Sequence, residues 1–595
     1  MSYTNNTSNN KDPLTSIIIL THNKLEYTQD CINSIRKHTD PGSYEIIVVD
    51  NKSNDGTQEW LHEQRDIKTI FNENNLGFPK GCNQGIEISS GENILLLNND
   101  ILVTPSWLDI LLNGLYSSEN IGAVGPVTNN AAYYQSIQTS YESIEQMYHF
   151  AQNYNRPDPR KWERRLKLVG FCMLIKKKVF EELGFLDEIF TPGNFEDDDL
   201  SFRMIKSGYE LRLCKDVFIH HYGSVSFRND NREYLELLEK NEKKFMGKWG
   251  FNSTYSSNIR NDIISLIDED VSANLRILEV GCACGGTLLG IKNKYPNAQL
   301  FGLELNESSA AIASTFAEVE AADVEQNLTY PEDFFDYIIF PDVLEHLNDP
   351  WVVVENVKKH LKKDGKVLAS IPNIMYYSVL RDTLNGRWTY TDAGLLDKTH
   401  VRFFTLYEIE KMFKNAGYNE VFYSANVLPE TKEDSLYIDM LAKVGQEELK
   451  EQYRVYQYLV KAHKGVKRTI TNLIEKLEDN QESSQAIEDI ISLIKKDNVS
   501  SEAIVEAMGI TGIADKQLVY NVLASNFYNE GLYDHIFPLL SASLLLNPKH
   551  RDTLYNLGYL LFKAGDDKLS KYYLEQIEEP DEEVQELVEQ LFAPK

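Results

Sequence analysis

A chain of 595 residues is long enough for roughly three to five domains, and 42% hydrophobic with 11% aromatic residues supplies large cores, so disorder is not the default expectation. Its 90 acidic against 60 basic residues leave a formal charge of −30, which opposes binding to nucleic acid and to an anionic leaflet. The six cysteines are scattered, the N-terminus lacks the apolar core of a secretion signal, and no apolar run approaches the ~18 residues that span a bilayer, so a cytoplasmic protein, at most peripheral at a membrane, is expected.

Along the chain, Ser16–Leu20 reads as a short β-branched strand, followed by Thr21-His22-Asn23 and a stretch with Leu25, Cys31, Ile32 and Ile35 at helical spacing. A second strand, Ile46–Val49, ends in Asp50-Asn51-Lys52-Ser53. A third, Ile94–Leu97, ends in Asn98-Asn99-Asp100. Buried strands alternating with helices predict a mainly parallel sheet whose ligands sit beyond the carboxyl ends of the strands, where both polar clusters fall. The basic cluster Arg160, Lys161, Arg164, Arg165 and Lys167 reads as a solvated helix face sooner than as a polyanion site. Four acids, Glu196 to Asp199, stand at a predicted helix start, where they would complement the helix dipole whatever else they do.

These segments together, DNKSNDGT from Asp50, NENNLGFPKGCNQG from Asn72, LLLNND from Leu95, GAVGPV from Gly122 and FEDDDLSFR from Phe195, resemble the family 2 glycosyltransferases of the GT-A fold over residues 14–250. The resemblance implies that Asp50 faces the base or ribose of a nucleotide-diphosphate sugar, within a donor-binding set of Thr21, Asn23, Asp50, Asn51, Asn98 and Asn99. It further implies that Asp100 holds a divalent cation, Mg2+ or Mn2+, with His220 completing the shell and His221 as the second candidate. The usual signature is Asp-x-Asp, and this chain departs from it with asparagines at 98 and 99. A departing nucleoside diphosphate develops negative charge that a carboxylate-held hard cation stabilises, while the acceptor hydroxyl must shed a proton to a base on the opposite face of the sugar. By resemblance that base is Asp197, flanked by Glu196 and supported by Asp199 and Arg203, and inversion at the anomeric carbon follows.

Further on, Arg276–Val280 reads as a strand running into Gly281-Cys282-Ala283-Cys284-Gly285-Gly286, a loop whose glycines permit close approach before a helix. Cys282 and Cys284 have no second pair to complete a zinc tetrahedron. Glu304 stands at the next strand end, about twenty residues on, suited to ribose hydroxyls. With Ala322-Asp323-Val324 and Asp342-Val343-Leu344-Glu345-His346-Leu347, this order resembles the class I methyltransferases, Rossmann-like and dependent on S-adenosylmethionine, over residues 255–425. The resemblance implies a cofactor set of Glu279, Gly281, Gly285, Glu304, Asp323 and Asp342, with Glu304 on ribose and Asp323 on the adenine amine. His400, in a segment similar to one in sugar-associated members, is a candidate base or substrate ligand weighed against a purely structural role, and His346 sits in the strand-end motif.

Beyond residue 430 the pattern turns to charged helical periodicity, a helical connector over 430–515, with polar breaks near 479–481 and 497–498. Leu523-Ala524, Phe527-Tyr528 and Gly531 recur 34 residues later as Leu557-Gly558, Leu561-Phe562 and Gly565, a period that matches tetratricopeptide repeats over 516–595 and suggests a protein partner or self-association. The expectation is an α/β chain, a GT-A nucleotide-diphospho-sugar transferase domain plus a Rossmann-like methyltransferase domain and a helical tail. It would transfer a sugar to a glycan or glycoprotein acceptor and O-methylate a sugar hydroxyl in surface polysaccharide or glycoprotein glycan assembly. Two alternatives are a glycosyltransferase whose second domain methylates an unrelated small molecule or protein, and a non-catalytic sugar-nucleotide-binding scaffold.

Overall fold

The computed structural model describes residues 13–223, 231–326, 328–418, 420–464, 467–478, 483–497 and 499–592. The polar breaks read at 479–481 and 498 lie outside the described residues.

Strands β1 (Thr15–Thr21), β2 (Tyr44–Asp50), β3 (Ile67–Phe71), β4 (Asn93–Asn98), β5 (Ile101–Leu102), β6 (Ile121–Val127), β7 (Trp162–Arg165), β8 (Cys172–Lys176), β9 (Glu210–Phe218) and β10 (His220–His221) build the first α/β unit. Eight of them form one sheet in the order β3-β2-β1-β4-β8-β6-β9-β7, and β5 pairs separately with β10. Ile17–Ile19 and Ile46–Val49 are buried without alternation, as expected of parallel strands covered on both faces. Because β1 pairs with both β2 and β4 in parallel, with Thr21 opposite Asp50 and Leu20 opposite Asn98, the polar strand ends meet along one edge of the sheet. The basic cluster is not a helix face. Residues 162–165 are edge strand β7, paired antiparallel with β9 and held by ion pairs of Arg164 with Glu210 and Arg165 with Glu163. Ion pairs on the strand satisfy Arg164 and Arg165, whereas Arg160 and Lys161, in the 3-10 turn Pro159–Lys161, are exposed.

A helix Asn231–Trp249 then crosses the first unit. Phe245 meets Phe190, Phe202 and Phe251, and Trp249 meets Phe202, with ring centroids 5.1–6.4 Å apart across the cluster; such pairs add about 0.5–1.5 kcal/mol each beyond burial. The second unit contains β11 (Arg276–Val280), β12 (Gln299–Leu303), β13 (Glu318–Glu320), β14 (Phe335–Pro341), β15 (Leu361–Pro372), β16 (Glu420–Val427) and β17 (Val455–His463), ordered β13-β12-β11-β14-β15-β17-β16. Strand β17 is antiparallel to both neighbours and lies between them. The sheet therefore continues past residue 425, and the stretch expected to be a helical connector supplies an interior strand; the two-residue alternation of Val455–His463 is short and follows a charged helical run. The two units touch directly. Tyr133 donates to the Ser257 carbonyl (2.9 Å), and Asn293 exchanges hydrogen bonds with the backbone of Arg164 (3.0 Å each).

All six cysteines are buried and unpaired. In the tail, helix pairs Lys516–Asn529 with Ile536–Leu546 and Arg551–Ala564 with Asp567–Leu574 share buried Leu523, Leu539 and Leu557. Gly531 and Gly565 both adopt left-handed conformations after the first helix of each pair. No helix of the described residues is long and apolar enough to cross a membrane.

Candidate active sites

At the edge where β1, β2 and β4 end, Asp50 is fully buried. One carboxylate oxygen accepts from the Ser53 amide (3.0 Å) and the Gln58 side chain (2.5 Å), while Oδ1 has no protein partner. A buried acceptor left open beside a strand end suits a donor on a ligand. The rest of the donor set is more constrained than the sequence indicates. Asn51 has its amide engaged with the Gly77 carbonyl and Asn72, which pins the 72–77 loop. Asn23 receives the Asn54 amide and gives its own to Ser53, joining the two strand-end loops. Asn99 donates to Thr21 and Thr28, and the Asn98 amide donates to the Phe171 carbonyl (2.9 Å). Ser53 and Gln58 were not singled out in the sequence; only proximity to the end of β2 could have suggested them.

Asp100 and the histidine pair are brought together by the β5–β10 ladder, in which His221 lies opposite Ile101, and by the Tyr222 amide donating to the Asp100 carbonyl (3.1 Å). His221 Nε2 stands 3.2 Å from Asp100 Oδ1 without hydrogen-bond alignment, while its Nδ1 faces the Asn130 carbonyl at 2.7 Å. Two ligand atoms beside one another, with the far ring nitrogen fixed by a backbone carbonyl, fit a divalent cation. Burial lowers the affinity of His221 for a proton, but the Asp100 carboxylate and the Asn130 carbonyl outweigh it and leave the imidazole above its ordinary value. Successive residues of a strand face opposite ways, and His220 turns instead to the Tyr141 hydroxyl (2.7 Å). Burial and the neighbouring His221 push His220 down to about 4, so it is neutral at physiological pH.

The acidic run opens the helix Glu196–Lys206, and its four members do different things. Asp199 is saturated by Arg203 (2.8 Å), Lys248 (2.6 Å) and the Trp249 indole (2.9 Å), tying the helix Asn231–Trp249 to the site. Asp198 pairs with Lys167 (2.8 Å) and accepts from Ser253 (2.5 Å). Glu196 is buried with Oε2 unpartnered, and burial together with Asp197 holds its carboxyl well above the usual range. Asp197 accepts the Gly170 amide (2.8 Å) and the Asp198 amide (3.0 Å); burial and Asp198 push it up to about 6. The next residue, Phe171, stacks on the His221 ring at 5.6 Å. The Gly170-Phe171 dipeptide thus links Asp197, through the Gly170 amide, to the ring of His221.

In the second unit, Gly281 has φ 69°, and a Cβ there would come within 2.7 Å of Val343. Gly286 leaves no room either, since a Cβ would lie 2.4 Å from the Asn258 carbonyl. The loop is therefore a backbone-lined cradle closing on the first turn of the helix Gly286–Lys294. Glu304, at the end of β12, accepts the Ala283 amide (2.7 Å) and the Asn306 amide (2.8 Å), which fixes its carboxylate at the cradle's rim. Glu279 is buried with Oε2 unpartnered, and burial pushes it up to about 8. Gly285 has φ 83° and Asp323 accepts the Glu325 amide (2.9 Å). These donors and acceptors fit a nucleoside cofactor. Asp342, at φ 55°, is engaged by Arg260, Ser370 and Gln457, partners that lie far away in sequence. His346 and His400 meet edge to face at 4.8 Å beside Glu345, and burial lowers the His400 imidazole.

The glycosyl transferase family 2 profile matches residues 16–184, and a methyltransferase domain family matches residues 230–421. The chain is 28% identical over 235 residues to the glycosyltransferase AglE of Haloferax volcanii, covering 38% of this chain and 70% of that protein. It is 33% identical over 115 residues to the malonyl-[acyl-carrier protein] O-methyltransferase of Bacillus anthracis, covering 18% of this chain and 42% of that protein. Among solved structures, a mannosyltransferase from Pyrobaculum calidifontis in complex with GDP-Man and Mn2+ aligns at 18% identity and TM-score 0.28 over 37% of this chain and 59% of that one. The chain spans between 18% and 75% of the length of the curated relatives it matches. The chain thus carries a glycosyl transferase family 2 domain over residues 16–184 and a methyltransferase domain over residues 230–421.

Proposed function

We propose that the chain is a bifunctional enzyme of glycan assembly: an inverting, cation-dependent transfer of a sugar from a nucleotide-diphosphate donor to a glycan or glycoprotein acceptor, coupled to O-methylation of a sugar hydroxyl from S-adenosylmethionine. The observation that supports the transfer reading most is the link from Asp197 through Gly170-Phe171 to the paired Asp100 and His221. Asp50, through its open Oδ1, takes a donor hydrogen from the nucleoside. Asp100 and His221 would hold a divalent cation, which supplies Lewis-acid stabilisation to the diphosphate. Asp197, with a proton affinity near neutral pH, accepts the proton of the acceptor hydroxyl. Burial and Asp198 keep it there, and Asp199 acts through the helix it anchors. A cavity of about 620 Å³ lined by Tyr141, His149, Phe150 and Tyr154 adjoins His220 and offers aromatic faces to a sugar.

In the second domain, Glu279, Gly281, Gly285, Glu304, Asp323 and Asp342 would hold S-adenosylmethionine, which supplies an electrophilic methyl group. The chain's own task is to align the acceptor and take its proton, and His400 is the candidate for that role. Direct contact between the units keeps one site's product at high local concentration near the other. A mass-resolved assay of nucleotide sugars, S-adenosylmethionine and a glycan acceptor library tests this: one product carrying both the sugar and the methyl increment supports it, and methyl transfer that ignores every glycan acceptor removes the second half.

The tail's helix pairs fit tetratricopeptide-like units that recognise protein. Phe537, Leu545 and Leu546 on the helix Ile536–Leu546 are more than half exposed, an apolar surface for a partner or a second copy. Deleting residues 516–595 without any change in oligomeric mass, partner capture or acceptor choice counts against this role.

A further inference from the structure

We propose that Glu345, His346 and His400 form a second divalent-cation site, inside the methyltransferase domain, that takes a borderline ion such as Zn2+ or Fe2+ and presents it to an acceptor hydroxyl. Each residue offers one ligand atom, and the three atoms lie within 4.8 Å of one another. Bonds of about 2.1 Å place opposite ligands about 4.2 Å apart, so a small inward turn of the side chains completes the set. Two imidazoles and one carboxylate, with the remaining positions open, is a donor set that selects such ions over Ca2+.

Three features of the fold build this site. Glu345 is 1% exposed, yet neither carboxylate oxygen has a hydrogen-bond partner. A buried carboxylate with no donor is costly, and a bound cation offsets that cost. Both histidines present Nδ1 to a backbone carbonyl at 3.2 Å, His346 to Thr399 and His400 to Leu395, which leaves each Nε2 as the nitrogen able to ligate. The loop that brings His400 is fastened to the strand end, since the Val401 and Arg402 amides both donate to the Glu345 carbonyl at 3.0 Å. Asp342, which could have competed as a ligand, is already engaged by Arg260, Ser370 and Gln457. The site is thus assembled from two segments more than fifty residues apart in sequence, held by backbone bonds that no cation is needed to explain.

A hydroxyl bound to such an ion would have its proton affinity lowered and would give that proton to solvent as its oxygen takes the methyl group from the sulfonium, whose carbon–sulfur bond breaks to leave S-adenosylhomocysteine; that is the work otherwise asked of a histidine base. This purpose rests on the reading that the domain methylates a hydroxyl; the existence of the site does not.

The test uses the full chain, stripped with chelator, carrying Asp100→Ala so that the glycosyltransferase site takes up no ion. Co2+ is titrated while visible absorption and bound metal per chain are read, and S-adenosylhomocysteine affinity is measured alongside to confirm a folded domain. One Co2+ per chain with a ligand-field band is expected, weakened about 100-fold or more by Glu345→Gln or by His400→Ala. Should Glu345→Gln fail to fold, His346→Gln gives the same reading from a half-buried position. Failure of the Asp100→Ala protein to bind Co2+, or equal binding with the ligands replaced, overturns the proposal. No acceptor enters the experiment, so a wrong acceptor class cannot produce either result.

Discussion

Replacing Asp197 by asparagine keeps the side chain's shape while removing the proton acceptor. General-base catalysis contributes about 10²–10⁴ in rate, or roughly 3–5 kcal/mol of barrier, and that is the expected loss in kcat. The structure also gives the cost in stability. The carboxylate accepts from two backbone amides, Gly170 and Asp198, and an asparagine can accept only with its single oxygen. One donor is left facing an NH2 group, worth about 1–3 kcal/mol and a drop of several degrees in Tm. Affinity for the nucleotide should stay within about twofold, because neither amide touches the Asp50 edge. The pH profile adds a second readout. With the carboxyl at about 6, it is ionised above that pH and protonated below, so transfer by the wild type should fall about tenfold between pH 7 and pH 5. Initial rates of diphosphate release with saturating acceptor, with nucleotide binding by calorimetry, give all three numbers. An Asp197→Asn protein that keeps more than a tenth of wild-type kcat, or keeps the same acidic limb, refutes the assignment.

His221→Ala should weaken divalent-cation activation at least about tenfold while His220→Ala leaves it nearly unchanged, read as the Mn2+ concentration giving half-maximal transfer. Equal effects would mean the alternation of β10 is not what selects the ligand. Glu304→Ala should weaken S-adenosylhomocysteine binding about 10- to 100-fold, the worth of charged hydrogen bonds, with calorimetry as the check. Glu279 is raised to about 8 in the folded chain, so its contribution to stability is fully present below about pH 4.5 and is lost as pH rises toward 8. Between pH 5 and pH 7 this amounts to about 3 kcal/mol, and Glu279→Gln should flatten the difference in thermal unfolding; an unchanged slope in the variant contradicts it.

The parallel core could be read directly, because Ile17–Ile19, Ile46–Val49 and Leu95–Leu97 are buried on both faces and their unbroken apolar runs say so. The polar strand ends could be read for the same reason. What could not be read is which neighbours occupy a side chain once the strands are in place. Only the family resemblance tells Asp197 from Asp199 in sequence; in the structure Lys248 and Trp249, some fifty residues on, saturate Asp199 and leave Asp197 to backbone amides. Asn51 looks like a ligand residue and is engaged in pinning a loop. His220 and His221 are separated only by strand pleat, which the dipeptide does not reveal. Strand β17 escaped because its place between β15 and β16 is set by long-range pairing, and Glu345 escaped because a buried acid without a partner looks, in sequence, like any other.

The glycosyl-transfer account depends on a cation held by Asp100 facing a base at Asp197. The measurement that bears on it most directly is the Mn2+ dependence of sugar transfer by chelator-treated wild type and Asp100→Ala. Transfer should vanish without the ion, return on titration in the wild type, and stay at least about 100-fold lower in the variant at saturating Mn2+. Full turnover in chelator, or in Asp100→Ala, contradicts it.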